Sequence, residues 1–282
     1  MPSLPPNPEQ IVFSGGGLRC FWQGGFMSVY CEACSPTPRR VTGVSGGALA
    51  GAAFLGGVER RLLDVMCDAF AGQDSNFDPF QKDGRGLTPH QTVYCEVVEQ
   101  VLDASVASRI ESGPSFQILI AHPPERPAPT LTGMAMTAAY EAELHIKNAP
   151  HFGWAQKIGL TSQLVDARQA AREGKLCDLV CAAAVIPPVF EPPLWEGRPV
   201  VDGGMADQAP MPDPDEGETL VLLTRDYDSL PEFPGRYYVS PEVETPADKI
   251  DFTDPDKLRA TWEHGEEDAR RLLTDRHRKA AQ

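Results

Sequence analysis

The chain has 282 residues, 41% of them hydrophobic, and a formal net charge of −15. That length buries a sizeable core, in one large α/β domain or two ordinary ones. The acidity argues against a nucleic-acid face and against an electrostatic grip on anionic membranes, because both need clustered Lys and Arg.

Residues 1–10 begin Met1-Pro2-Ser3-Leu4-Pro5-Pro6. They lack the basic start and apolar stretch of a signal peptide and are expected to be a flexible leader. Residues 11–282 are expected to form one domain, since no stretch reads as a linker. No run of about 18 apolar residues occurs, so no membrane-spanning helix is expected. Ile11-Val12-Phe13 reads as a strand over 11–14, and Ser14-Gly15-Gly16-Gly17-Leu18-Arg19 follows it directly. A loop without side chains can aim backbone N–H groups at an anion, either a phosphate or the oxyanion of acyl transfer. A helix is expected over 22–34.

Arg40-Val41-Thr42 leads a second strand, 41–44, into Gly43-Val44-Ser45-Gly46-Gly47. This Gly-x-Ser-x-Gly form, with Gly43 and Gly47 at its ends, places a serine hydroxyl on a tight strand-to-helix turn, exposed for attack. The alternative is a glycine-rich turn whose Ser45 merely caps the next helix. The run Ala48-Leu49-Ala50-Gly51-Ala52-Ala53 is small and apolar, as a buried helix packed closely on a sheet requires. One helix is expected over 46–71, turning amphipathic near 58–70.

Residues 72–89 are polar and glycine-bearing, a loop or lid candidate. Helical periodicity covers 92–107, a strand 116–121, a proline-rich loop 122–129 and a helix 176–184. Arg198-Pro199-Val200-Val201-Asp202-Gly203-Gly204 reads as a short strand ending in an Asp-Gly-Gly turn, which is also a common plain strand ending. Asp213-Pro214-Asp215-Glu216 reads as solvated loop, and 219–224 as a buried strand. Asp254-Pro255 starts the last helix, with Asp at the cap and Pro in the first turn. Strands alternating with helices imply a largely parallel sheet covered on both faces.

Seven cysteines are present, and Cys31-x-x-Cys34 alone has a two-cysteine metal or redox spacing, without a second half. The six histidines are scattered without ligand spacing. No metal or cofactor is expected, and reduced, mostly buried thiols in a cytoplasmic protein are the simplest reading.

Taken together, the segments resemble the patatin-like phospholipase family of lipid acyl hydrolases over roughly residues 11–275. Ser14-Gly15-Gly16-Gly17-Leu18-Arg19, with Gly25 downstream, is similar to the family's oxyanion loop. Gly43-Val44-Ser45-Gly46-Gly47-Ala48-Leu49 looks like its nucleophile elbow. Ala182-Ala183-Ala184-Val185-Ile186-Pro187-Pro188-Val189-Phe190 resembles its small-residue segment. Asp202-Gly203-Gly204, with Pro210 beyond, resembles the motif carrying the second catalytic residue, and Gly265-Glu266-Glu267-Asp268-Ala269 its closing Gly-x-x-x-Ala pattern. The chain departs from the family at Cys20, where Gly is common, at Ala183, where Ser is common, and at Asp207 and Gln208, where Asn is common.

The resemblance implies a three-layer α/β sandwich with a mainly parallel central sheet flanked by helices. It implies cleavage of carboxylic esters of lipids by a Ser45–Asp202 dyad, with Asp202 taking the serine proton directly. Physically this asks for a partly desolvated Asp202 of raised pKa. Gly15, Gly16 and Gly17 would hold the oxyanion, with Gly203 and Gly204 shaping the Asp202 turn. Arg19 would contact a lipid phosphate or serve as a structural ion pair. The implied partner is a lipid or acyl-ester substrate, met by a transient, local and apolar contact with a membrane or micelle. Other readings stay open: an α/β-hydrolase triad of Ser45, Asp202 and His264, acyl transfer to an acceptor other than water, or a non-catalytic acyl-binding protein.

Overall fold

The computed structural model describes residues 4–71, 90–124, 149–151, 159–185 and 193–280. Its frame is a sheet in the order β4-β3-β2-β1-β8-β9. The strands are β1 (Gln10–Phe13), β2 (Arg40–Val44), β3 (Ser115–His122), β4 (Thr161–Asp166), β8 (Thr219–Leu222) and β9 (Arg236–Val239). β1, β2, β3, β8 and β9 run parallel, while β4 pairs antiparallel with β3. A further short strand, β7 (Val201–Asp202), also pairs antiparallel with β3 and sets Asp202 opposite Ile120.

The central strands are buried almost throughout because both of their faces are covered. Ile11, Phe13, Leu220 and Leu222 enter the main core beneath the helices. Val12, Val221 and Leu223 point the other way, into a smaller cluster with Ala209 and Tyr227. The helices are α1 (Phe21–Cys34), α2 (Gly46–Gly56), α3 (Glu59–Ala71), α4 (His90–Val101), α5 (Ala104–Ser112), α6 (Ala167–Arg172), α7 (Leu176–Ala182) and α8 (Pro255–Ala280).

Two expected helices are each divided in two. Gly57 ends α2 with φ +61°, its N–H reaching Phe54 O while Val58 N–H reaches Ala53 O. These are the paired bonds of a glycine-terminated helix. Asp103 starts α5 by accepting from Ser105 N and Val106 N, which splits the periodic stretch 92–107. The segment 198–202 is likewise two strands. Arg198–Pro199 (β6) forms a hairpin with Leu194–Trp195 (β5) over a turn with positive φ at Glu196 and Gly197. β4 carries no apolar strand signal, because Thr161-Ser162-Gln163 is polar and lies at a sheet edge. The last helix begins as expected, Asp254 accepting from Asp256 N and Lys257 N.

Within the stretch expected as a leader, Leu4 is buried, Pro5 O accepts from the Tyr30 hydroxyl, and Asn7 Oδ1 accepts from Thr37 N at 2.7 Å. The lid candidate 72–89, the end of the proline-rich loop at 125–129 and the 186–190 portion of the small-residue motif lie outside the described residues. Among the described residues, no helix is long and apolar enough to cross a membrane. The expectation of reduced thiols fails at one pair: Cys95 on α4 and Cys181 on α7 form a disulfide, with Cα atoms 5.7 Å apart.

Candidate active site

β2 delivers the chain to Ser45, which sits between the strand and α2 with φ 54° and ψ −134°. A non-glycine residue in that region is strained by about 1–3 kcal/mol, a cost that clusters at functional turns. The turn is possible because its neighbours lack side chains. A Cβ on Gly43 would press on Gly47 O at 2.7 Å, and one on Gly47 would collide with the carbonyls of Phe13 and Ser14. The alternative of Ser45 as a plain helix cap does not describe the geometry, because its side chain makes no capping bond. Ser45 Oγ instead donates to Asp202 Oδ2 at 2.6 Å.

Asp202 reaches this position from β7. Its second oxygen, Oδ1, accepts from Gly204 N at 2.7 Å, so the Asp-Gly-Gly turn fixes the carboxylate from below. A Cβ on Gly203 would strike Leu119 O, which accounts for the first glycine after Asp202. Both Ser45 and Asp202 are buried. Burial pushes the Asp202 pKa up to about 6, against the smaller downward pull of the Ser45 and Gly204 hydrogen bonds and the Lys249 charge. A carboxylate disfavoured by desolvation is a stronger proton acceptor.

The glycine loop lies against the elbow: a Cβ on Gly15 would be 3.4 Å from Ser45 Cβ, and one on Gly46 would be 2.5 Å from Gly17 O. The three loop glycines are not equivalent. Gly15 N–H is committed to Gln208 O at 2.8 Å, and Gly15 O accepts from Thr224 Oγ1 at 2.7 Å. The N–H groups of Gly16 and Gly17 have no acceptor among the described residues. The N–H of Gly46 belongs to the unpaired first turn of α2, whose dipole favours negative charge at Ser45. Gly16, Gly17 and Gly46 thus keep uncommitted N–H groups on the segments that flank Ser45, while Gly15 anchors the loop.

Four contributors were not legible as site residues. Gln208 ties the loop to the Asp202 turn, its carbonyl binding Gly15 and its Nε2 binding Gly204 O at 2.8 Å. Thr224 holds Gly15, and Gln23 Nε2 donates to Ser14 O and Leu222 O at 3.0 and 2.9 Å, fixing the strand-to-loop exit. Lys249 supplies positive charge near Asp202. Only Gln208 carried a signal, its place after the Asp-Gly-Gly motif.

Arg19 makes no ion pair among the described residues, and its Nε is buried without a hydrogen-bond partner. His264 does not approach Ser45 through Asp202. Its Nε2 lies 3.3 Å from Asp268 Oδ2 on α8, so the triad of Ser45, Asp202 and His264 is not assembled. Cys20 Sγ lies beneath the loop, 3.5 Å from Ser14 O, and burial raises its pKa out of the thiolate range. Among the described residues, no three His, Cys, Asp or Glu side chains converge as a bound metal requires.

A cavity of about 230 Å³ opens at Ser45 and Gly46 and is walled by Leu49, Ala53, Met66 and Trp262. Its surface is almost wholly apolar. The chain from residue 11 to 214 matches the family model of the patatin-like phospholipases. The chain belongs to the patatin-like phospholipase family. Membership places this patatin-like protein among lipid acyl hydrolases in general, with lipids as the family's substrate class. No curated protein matches the chain. Among solved structures, it is similar to VipD from Legionella pneumophila at 11% identity and a TM-score of 0.47, over 97% of this chain and 68% of that one.

Proposed function

We propose that this patatin-like protein hydrolyses carboxylic esters of lipids through a covalent acyl-serine at Ser45, with Asp202 as the base. The observation that carries this reading is the 2.6 Å hydrogen bond from Ser45 Oγ to a buried carboxylate oxygen, with no histidine between them. As Oγ attacks the ester carbonyl carbon, its proton passes to Asp202 Oδ2. The negative charge then forms on the former carbonyl oxygen, within reach of the Gly16, Gly17 and Gly46 N–H groups. Collapse breaks the bond to the alcohol, which leaves with the proton held by Asp202, and Ser45 carries the acyl group. Water attacks the acyl carbon and gives its proton to Asp202, the carboxylic acid departs, and the proton returns to Ser45 Oγ. The apolar cavity beside Ser45 suits the acyl chain.

A fluorophosphonate probe, which is attacked by an activated serine, should label the protein at Ser45 alone. Ser45→Ala should abolish labelling and hydrolysis of a p-nitrophenyl acyl ester without a change in Tm beyond a few degrees. Full activity in Ser45→Ala, or labelling at another serine, overturns the reading.

A further inference from the structure

We propose that the Tyr94 hydroxyl is a substrate-positioning donor that hydrogen-bonds the alkoxy oxygen of the ester held at Ser45. The inference rests on the acyl-hydrolase reading above and assigns a residue that no sequence motif contains.

Tyr94 lies on α4 and lines the same cavity as Ser45, Gly46 and Cys20. Its ring is only partly buried, yet its hydroxyl oxygen is shut off from solvent and has no hydrogen-bond partner among the described residues. A buried hydroxyl without a partner costs free energy, and such orphans in native proteins call for an explanation. In a cavity whose surface is almost wholly apolar, a polar atom brought in with a ligand relieves that cost. Lipid esters carry their polar atoms at one end, and that end must sit at Ser45 for reaction.

The hydroxyl shares the Ser45 end of the cavity with Gly46 and Cys20, and the Asp202 carboxylate acts on it electrostatically. Burial above all raises its pKa, so the group is a neutral donor at neutral pH. Its side of the site follows from the roles already taken. The carbonyl oxygen is matched by the backbone donors of Gly16, Gly17 and Gly46, on the loop side. Asp202, bonded to Ser45 and acting electrostatically on Tyr94, is the group that must return a proton to the departing oxygen. A donor within electrostatic reach of Asp202 therefore meets the alkoxy oxygen, where it offsets charge as the bond to carbon breaks, without itself losing a proton. The position is also held from behind. Cys95, the next residue on α4, is joined to Cys181, which lines the same cavity.

The test is Tyr94→Phe, which keeps the ring and removes only the hydroxyl, assayed beside Ser45→Ala on two esters of one fatty acid. One is an alkyl or glycerol ester, whose alkoxide leaves poorly; the other is a p-nitrophenyl ester, whose phenolate leaves without help. Tyr94→Phe should lower kcat/KM roughly tenfold on the alkyl ester and less than about twofold on the p-nitrophenyl ester. Its Tm should equal or exceed that of the parent, because an unpartnered buried polar group has been removed. An unchanged rate on the alkyl ester overturns the proposal, as does an equal loss on both esters or a loss that follows a lowered Tm. If Ser45→Ala is inactive while Tyr94→Phe behaves as the parent, only this inference falls. If Ser45→Ala keeps full activity, the acyl-serine reading falls and takes this one with it.

Discussion

Asp202 combines two demands that oppose each other. In the proposed mechanism it accepts a proton from Ser45, which favours a high pKa, and it must be ionised to do so, which burial penalises. Burial wins in the structure, raising the group from 3.8 to about 6. At about 1.36 kcal/mol per unit, the buried carboxylate costs the folded state about 3 kcal/mol. The sign of the linkage follows. Between pH 3.8 and about 6 the folded state holds a proton that the unfolded chain has released, so stability falls as pH rises through that window and the cost is complete above it. Asp202→Asn removes the charge and should be more stable than the parent at pH 7.5, with the difference shrinking toward pH 4. Hydrolysis should meanwhile collapse by orders of magnitude. In the parent, kcat/KM should fall below pH 6 as the base becomes protonated. Calorimetry of both proteins at pH 4 and 7.5 checks the first point: an Asp202→Asn protein less stable at pH 7.5 would mean the carboxylate stabilises the fold. The pairing of Ser45 with Asp202 was legible at this scale because each sits in a backbone turn that dictates its neighbours. Tyr94 was not readable, since its role depends on which cavity α4 faces.

Among the elements, the loop Ser14–Gly17 shows how position is imposed on residues without side chains. Its strongest anchors come from outside it. Gln208 O binds Gly15 N–H from one side, Thr224 Oγ1 binds Gly15 O from the other, and a Cβ on Gly16 would collide with the Thr224 side chain. Gly17 has φ +58°, and a Cβ there would strike Lys249 O, so alanine at Gly17 would distort the loop rather than test it. Thr224→Val is the cleaner probe: the shape stays, and Gly15 O loses its buried donor. The loss of one such bond, about 1 kcal/mol, should appear as a roughly fivefold fall in kcat with a smaller change in KM, because the oxyanion contact tightens in the transition state. A change in KM alone would mean the loop binds the ground state. The sequence displayed the glycines but not their anchors, because Thr224 lies 209 residues from Gly15 and Gln208 nearly as far. Helix breaks were open to reading where glycine ends a helix, as at Gly57. They were hidden at Asp103, where apolar periodicity runs through a new cap.

Across the whole molecule, the crossing of α1 and α8 joins the two ends of the chain and also forms a wall of the cavity. The two helices meet at backbone distance. A Cβ on Gly25 would collide with Trp262 O, and one on Gly265 with Trp22 O. Asp268 locks the crossing, accepting from Trp22 Nε1 at 2.9 Å. These contacts give the Gly265-x-x-x-Ala269 spacing a physical reason, since Ala269 is also fully buried on the face that meets the core. Phe21, Gly24 and Trp262 from this crossing line the cavity. Gly265→Ala should therefore act twice. Forcing the helices apart should destabilise the fold by about 1–3 kcal/mol, lowering Tm by several degrees. The same displacement moves Trp262 and reshapes the wall without touching Ser45 or Asp202. On p-nitrophenyl acetate, whose acyl group is too short to reach that wall, kcat/KM per folded molecule should stay near the parent value. On p-nitrophenyl dodecanoate KM should rise, so the ratio of the two specificities should shift severalfold toward acetate. A lower Tm with an unchanged ratio would separate the crossing from acyl binding and leave it a purely structural contact.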